Sequence, residues 1–162
     1  MPEEITTPEL DMFQELLWNV TEKLDSAANL KYKDENWGQL QYYGTECPVQ
    51  WPCALVDISN GQFTNNGIDR NQEPRNRQQG TVNIELTIGN LKITNTSRKA
   101  PTAQRFNGWT IWKLVNEVHK VLQGYRPLKN SGGLVRTSMQ KITRDDAVQE
   151  VKVIYTLGLS DC

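Results

Sequence analysis

One histidine, three cysteines and no long apolar run are the shortages of this 162-residue chain. A Ser or Cys nucleophile needs a base within hydrogen-bond reach, and His119 is the only imidazole available. It falls beside Trp112 and Leu122 at helical spacing, which fits a packed structural histidine. Cys47, Cys53 and Cys162 form no CxxC pair, and without a second Cys or His cluster a zinc ion is short of its four ligands. We read them as reduced thiols with no disulfide framework. No stretch approaches the roughly 20 apolar residues that span a bilayer, and the opening MPEEITTPELD is acidic where a signal peptide is basic. The expectation is a protein that is cytosolic when made and has no membrane partner. SGG at 131–133 lacks the Lys-Ser/Thr and the helix start of a phosphate loop. Asp145 and Asp146 are adjacent, so they point apart and read as solvated acids of a turn, unlike the facing carboxylates of a hydrolase. These shortages predict no catalytic residue, no metal and no cofactor.

What is present is globular: 37% apolar and 23% charged residues with five Trp, enough for one core without staples, so residues 1–162 are read as a single domain. The net charge of -1 conceals a polarity along the chain. Residues 1–25 carry net -6 and residues 92–144 net +10, which points to an acidic or polyanionic partner or to a second copy of the same chain. Nucleic acid is one such polyanion, and Arg98, Lys99, Arg105, Arg126, Lys129, Arg136, Lys141 and Arg144 supply the basic side chains. No reading motif accompanies them, however, and a sequence pI near 5.9 is low for a freestanding binder.

Leu10, Phe13, Leu17, Val20 and Leu24 recur at three- and four-residue steps and predict a first helix, capped by Thr7 with Pro8 at its first position. Residues 29–50 have neither period; a short strand is expected at 39–43. PCALVDIS (52–59) suits a buried strand, and TVNIELTI (81–88) alternates without fault, predicting a sheet with one wet face. Residues 60–80, NGQFTNNGIDRNQEPRNRQQG, are polar throughout except for Phe63 and Ile68 and read as a long loop where about four to six residues usually suffice. Residues 89–105 extend the strand and pass into a basic loop. A second helix is expected over about 108–123, with Trp109, Trp112, Val115, Val118, His119 and Leu122 on one side and Gly124 as the stop. GLVRTSMQKI (133–142) and EVKVIYTLGL (150–159) read as an antiparallel hairpin. The fold expected is α+β: a mainly antiparallel sheet of about four strands with two helices packed on one face.

The order of these elements, with ELDMFQELLWNVTEKL, PCALVDIS, TVNIELTI, a helix ending LQGY and a closing LVRTSMQKITRDDAVQEVKVIYTLGLSD, resembles the tail-terminator and tail-completion proteins of long-tailed bacteriophages and related prophage elements. The closing phrase carries most of the likeness, as an Arg-bearing strand, an acidic turn and a last strand of the form VxVxYxLxxxD. The resemblance implies a non-enzymatic structural protein that assembles into a ring, commonly of six subunits, caps the tail tube and joins it to the head. Its partners would be further copies of itself, the tail tube protein and head-neck proteins, with a non-specific DNA contact in the lumen, and its location the host bacterial cytoplasm and then the virion. A neck or head-completion connector, or a nucleic-acid-associated module using residues 92–144, are the alternatives. In a ring the 60–80 segment becomes an assembly arm whose Arg70, Arg75 and Arg77 offer planar donors to carboxylates. Asp11, Glu15 and Glu22 would then face Arg98, Lys99, Arg105, Arg126 and Lys129 of the next subunit.

Overall fold

The faultless alternation of residues 81–88 lies at the middle of the sheet. The structure, a computed structural model, describes residues 9–27, 29–92 and 94–162. Its elements are α1 (Met12–Lys23), β1 (Tyr32–Glu35), β2 (Cys53–Ile68), β3 (Asn76–Leu91), α2 (Thr102–Gly108), α3 (Thr110–Leu122), β4 (Val135–Ile142) and β5 (Val148–Leu159). The strands form one sheet in the order β1-β2-β3-β5-β4, with β1 parallel to β2 and every other pair antiparallel. Val82, Ile84, Leu86 and Ile88 of β3 and Val151, Val153, Tyr155 and Leu157 of β5 are buried on one face, against Leu16 and Val20 of α1 and Ile111, Leu114, Val118 and Leu122 of α3. Burial of these side chains, each contributing about 1.5–3 kcal/mol, holds helices and sheet together. The opposite face is covered only at one end, where Leu40 and Cys47 of the 36–52 connection pack on Cys53 and Leu55. Elsewhere it is polar: Thr156 Oγ1 lies 3.0 Å from Asn83 Oδ1 and Lys152 faces Glu85 at 3.4 Å.

Five strands in a mixed sheet with three α-helices replace the expected four antiparallel strands and two helices. The extra strand, YKDE of β1, is too short and too charged to show a period, and it pairs in parallel at the sheet edge. Residues 39–41, placed in a strand from sequence, form a single tight helical turn behind Gly38, whose φ of +97° directs the chain out of extended geometry. The helix expected over 108–123 is α3, and the additional helix, α2, takes up the end of what was read as a basic loop, with Gly108 packed against Thr96 where a Cβ would collide. Trp109 and Trp112 are partly exposed, and Ile111 and Leu114 take the core positions.

In α1 the expected stripe holds at Val20 and Leu24, which are buried, but its first half is turned: Leu16 takes the fully buried place expected of Leu17, and Phe13 is 41% exposed. Asp11 stands at the N-cap, its N–H donating to Gln14 Oε1 at 3.0 Å. The Thr7 cap and Pro8 lie outside the described residues.

The largest difference concerns residues 60–80. Instead of a loop they continue β2 and β3 as an antiparallel hairpin with register shifts between Ile58/Asn60 and Asn65/Gly67. Phe63 stands opposite Gly80 and its ring occupies the space a Cβ there would need, so one aromatic covers the glycine and stiffens the ribbon. The tip is closed by Asp69, whose N–H donates to the Arg75 carbonyl at 2.8 Å and whose carboxylate accepts from the Asn71 N–H at 3.0 Å.

The α1 register is testable by truncation. Leu16→Ala should cost about 2–5 kcal/mol in chemical denaturation, the range for emptying a core leucine site, whereas Phe13→Ala should stay within about 0.5 kcal/mol as a surface change. Equal losses at the two positions would show that the helix is rotated differently.

Candidate functional site

Two features of this fold have no role in holding the core: the hairpin arm, and a cleft on the thinly covered sheet face. β5 supports β3 as far as Gly80, the partner of Phe63, so the hairpin beyond that pair projects from the sheet. Its side chains from Thr64 to Ile68 and from Arg70 to Asn76 are exposed. The root is tied down by the end of the chain. Gln78 and Cys162 exchange backbone hydrogen bonds of 3.1 and 2.9 Å, and Arg77 donates to the Asp161 carboxylate at 2.7 Å, the Asp161 carbonyl at 2.6 Å and the Pro74 carbonyl at 3.2 Å. Of the three arm arginines, Arg77 is therefore committed within its own chain. Arg70 and Arg75 stand free at the tip, with no ion-pair partner among the described residues.

The cleft has a volume of about 640 Å³ and lies between Thr87, Glu150 and Lys152 of the sheet, the 36–43 connection and the β4–β5 turn. Arg144 builds it. Its five N–H groups meet five acceptors: both Asp146 oxygens at 3.0 and 2.6 Å, Glu150 Oε1 at 3.2 Å, the Tyr42 carbonyl at 3.1 Å, and the Leu40 carbonyl. The Gly44 N–H completes the Asp146 shell at 2.8 Å. Asp146 is thus a buried ion-pair partner, and the reading of 145–146 as two solvated acids holds only for Asp145, which is exposed. The Arg144 guanidinium holds the Asp146 carboxyl well below its ordinary value of 3.8, and Arg144 is itself pushed up, chiefly by the hydrogen bonds to Asp146.

His119 Nδ1 lies 3.2 Å from the Tyr155 hydroxyl, within hydrogen-bond distance. Burial, and then the charge of Arg136, lower the His119 pKa, while burial raises Tyr155 to about 12. All three thiols are free, and burial pushes Cys53 up to about 12, far from a reactive thiolate. Among the described residues no group of three or more His, Cys, Asp or Glu is placed to hold a metal ion. No helix described is long and apolar enough to cross a membrane.

The residues singled out for a subunit contact do not form one cluster. Glu15 lines a shallow groove with Arg126 and Lys129 of the same chain. Arg126 donates to the Ser131 and Lys129 carbonyls at 2.8 and 2.7 Å, and Arg105 lies 5.2 Å over the Trp109 ring. Glu22 sits with Trp18, Asp25 and Lys33 in another groove, where Lys33 and Asp25 pair at 2.5 Å. Arg98 and Lys99 are exposed, and Asp11 caps α1.

Breaking the Arg144 node has an expected signature. Arg144→Met strands Glu150 and Asp146, and removal of one partner of a buried pair typically costs about 3–5 kcal/mol. Asp146, with its folded pKa depressed, contributes stability that is complete above pH 3.8 and is lost as pH falls below that value, so the gap between wild type and variant should narrow there. His119, also lowered, gives both chains a shared decline beginning below its ordinary 6.5. Thermal melts from pH 7 to pH 2 measure both effects; a gap constant across that range would remove Asp146 from the node.

No family model and no curated protein matches the chain. Its fold is similar to that of a solved chain from the virion of a native gene transfer agent particle, with a TM-score of 0.53 at 9% identity over 90% of this chain and 94% of that one.

Proposed function

We propose that this chain is a structural component of a phage-like virion, a ring-forming tail terminator or tail-completion protein that caps the tail tube and meets the head side. The observation that carries the reading is the likeness of its fold, along most of both chains, to a chain of a gene transfer agent virion. Self-assembly is supported by the two open edges of the sheet. β1 covers β2 only through Val56, so residues 57–68 leave one edge of β2 unpaired, and β4 leaves the other sheet edge open. These edges lie on opposite sides of one protomer and differ in sequence. A contact joining them is therefore heterologous and closes into a ring where its rotation allows. The arm adds a second reaching surface, and the role needs no catalytic residue.

The expected behaviour is a monomer at low concentration that gives closed rings of one size when concentrated or mixed with its tube protein, seen by light scattering and negative-stain microscopy. An isologous dimer under every condition would falsify the ring. Tight, salt-sensitive binding of duplex DNA by the free monomer would favour instead a nucleic-acid role for residues 92–144.

A further inference from the structure

The Arg144 cleft is built but unfilled by the chain's own side chains. At its floor Thr87 is 2% exposed, and its Oγ1 has no hydrogen-bond partner, unlike nearly all buried polar groups. Charge decides what class of group fits. Asp145, Asp146 and Glu150 line the cleft against Arg144 and Lys152, Arg144 has no N–H left to offer an anion, and Lys152 already faces Glu85. The Asp145 carboxylate pairs with no cation among the described residues. Tyr42 and Tyr43, 52% and 63% exposed, form part of the wall and offer ring faces. Excess carboxylate, open aromatic faces and a buried hydroxyl with a free lone pair together suit a guanidinium, which stacks on rings and donates in several directions at once.

We propose that the cleft receives the hairpin tip of a second copy of this chain, with Arg70 or Arg75 as the entering group. The tip displays the two uncommitted guanidinium groups described above, while the third is held back by Asp161. It cannot reach the cleft of its own chain. Glu73, Pro74 and Arg77 border a groove with Met12, Glu15 and Leu128 on the helix side, whereas Thr87 pairs with Leu55 on the other face near the start of β2. The eleven steps from Asn76 to Thr87 span about 36 Å along the strand at about 3.3 Å each. Tip and cleft therefore meet only between protomers, and being unlike surfaces they join copies head to tail. The proposal rests on the reading of the chain as a self-assembling virion component and names the contact that would link its copies.

Disulfide trapping on full-length chains tests it. Two variants, each also carrying Cys162→Ser, bear Arg75→Cys in one and Asp145→Cys in the other; both positions are exposed, so the fold should tolerate them. Mixed under mild oxidation, they should yield a linked heterodimer at least tenfold above the yield of Arg75→Cys with Lys120→Cys, an exposed control position on α3. A yield equal to the control overturns the proposal. Sedimentation of the unmodified chain separates the two levels of failure: association without trapping removes the cleft contact and leaves the assembly reading, and a chain monomeric at every concentration without trapping removes both. As a second readout, Arg70→Glu with Arg75→Glu should weaken self-association about tenfold, and Asp145→Lys placed in the same chain should recover part of it. Undiminished association of the double variant also overturns the proposal.

Discussion

The Arg144 guanidinium is the joint on which the thinly covered sheet face depends. It carries a buried charge to a place where two carboxylates and two backbone carbonyls converge, and each of these groups would be costly to leave without a donor. Geometry makes the arrangement tolerable: five donors in a rigid fork meet five acceptors, which a lysine ammonium could not match. Among the described residues the connection 36–52 has few apolar anchors, Leu40, Cys47, Val49 and Trp51, and is held besides by hydrogen bonds such as Gln39 Nε2 to the Glu35 carbonyl at 2.9 Å and Trp37 Nε1 to Asp34 Oδ2 at 3.2 Å. The cleft exists because this joint fixes one wall at a distance from the sheet instead of letting the connection collapse onto it.

The second organising constraint is that β2 and β3 serve two environments in succession. Cys53 to Val56 are buried, Asp57 and Ile58 are half-buried, and everything from Ser59 to Ile68 is exposed. The first part is stabilised by apolar burial, and the far part by ladder hydrogen bonds of about 1 kcal/mol net each, which alone leave a two-stranded ribbon marginal. Phe63 over Gly80 and the pairing of Gln78 with Cys162 offset that weakness at the root. The tip beyond them is held by the Asp69 hydrogen bonds to Arg75 and Asn71 and by the Arg77 bond to the Pro74 carbonyl.

How far the fold was legible follows from the same contrast. Wherever one face is buried and the other wet, as in β3 over 81–88 and in β5, period two shows and the strands were read correctly. The arm is wet on both faces, so its Asn, Gln and Thr carry no alternation and NGQFTNNGI reads as loop although its backbone is paired on both sides of the irregularity at Asn66. The rotation of α1 was hidden by two adjacent leucines, Leu16 and Leu17, and only the position of the sheet decides between them. β1 has four residues and no apolar pattern to find. At the site, Asp146 looked like its neighbour Asp145; the separation of the two into a buried partner and an exposed acid depends on a turn that brings Arg144 beneath the Tyr42 carbonyl, a contact 102 residues apart in sequence.

Segment charge counts the cations a stretch carries and does not say how each is engaged. Of the cations that make residues 92–144 strongly basic, Arg144 is buried in its node, Arg126 is engaged by two carbonyls, and Arg105 lies over Trp109. Glu15 on the acidic helix already shares a groove with Lys129 of the same chain. The other cations of this stretch, Arg98, Lys99, Arg136 and Lys141 among them, are exposed, and the field they set up is screened over about 8 Å at physiological salt. The arm differs in kind. Arg70 and Arg75 are only two charges, but they are displayed on a paired ribbon whose root is fixed, so their positions are restricted before any partner arrives. A short-range contact depends on such placement and on desolvation in a cleft, where a guanidinium next to carboxylates interacts more strongly than any pair at the open surface. Recognition in this molecule is therefore better sought where a few charges are held in place than where the sequence has many.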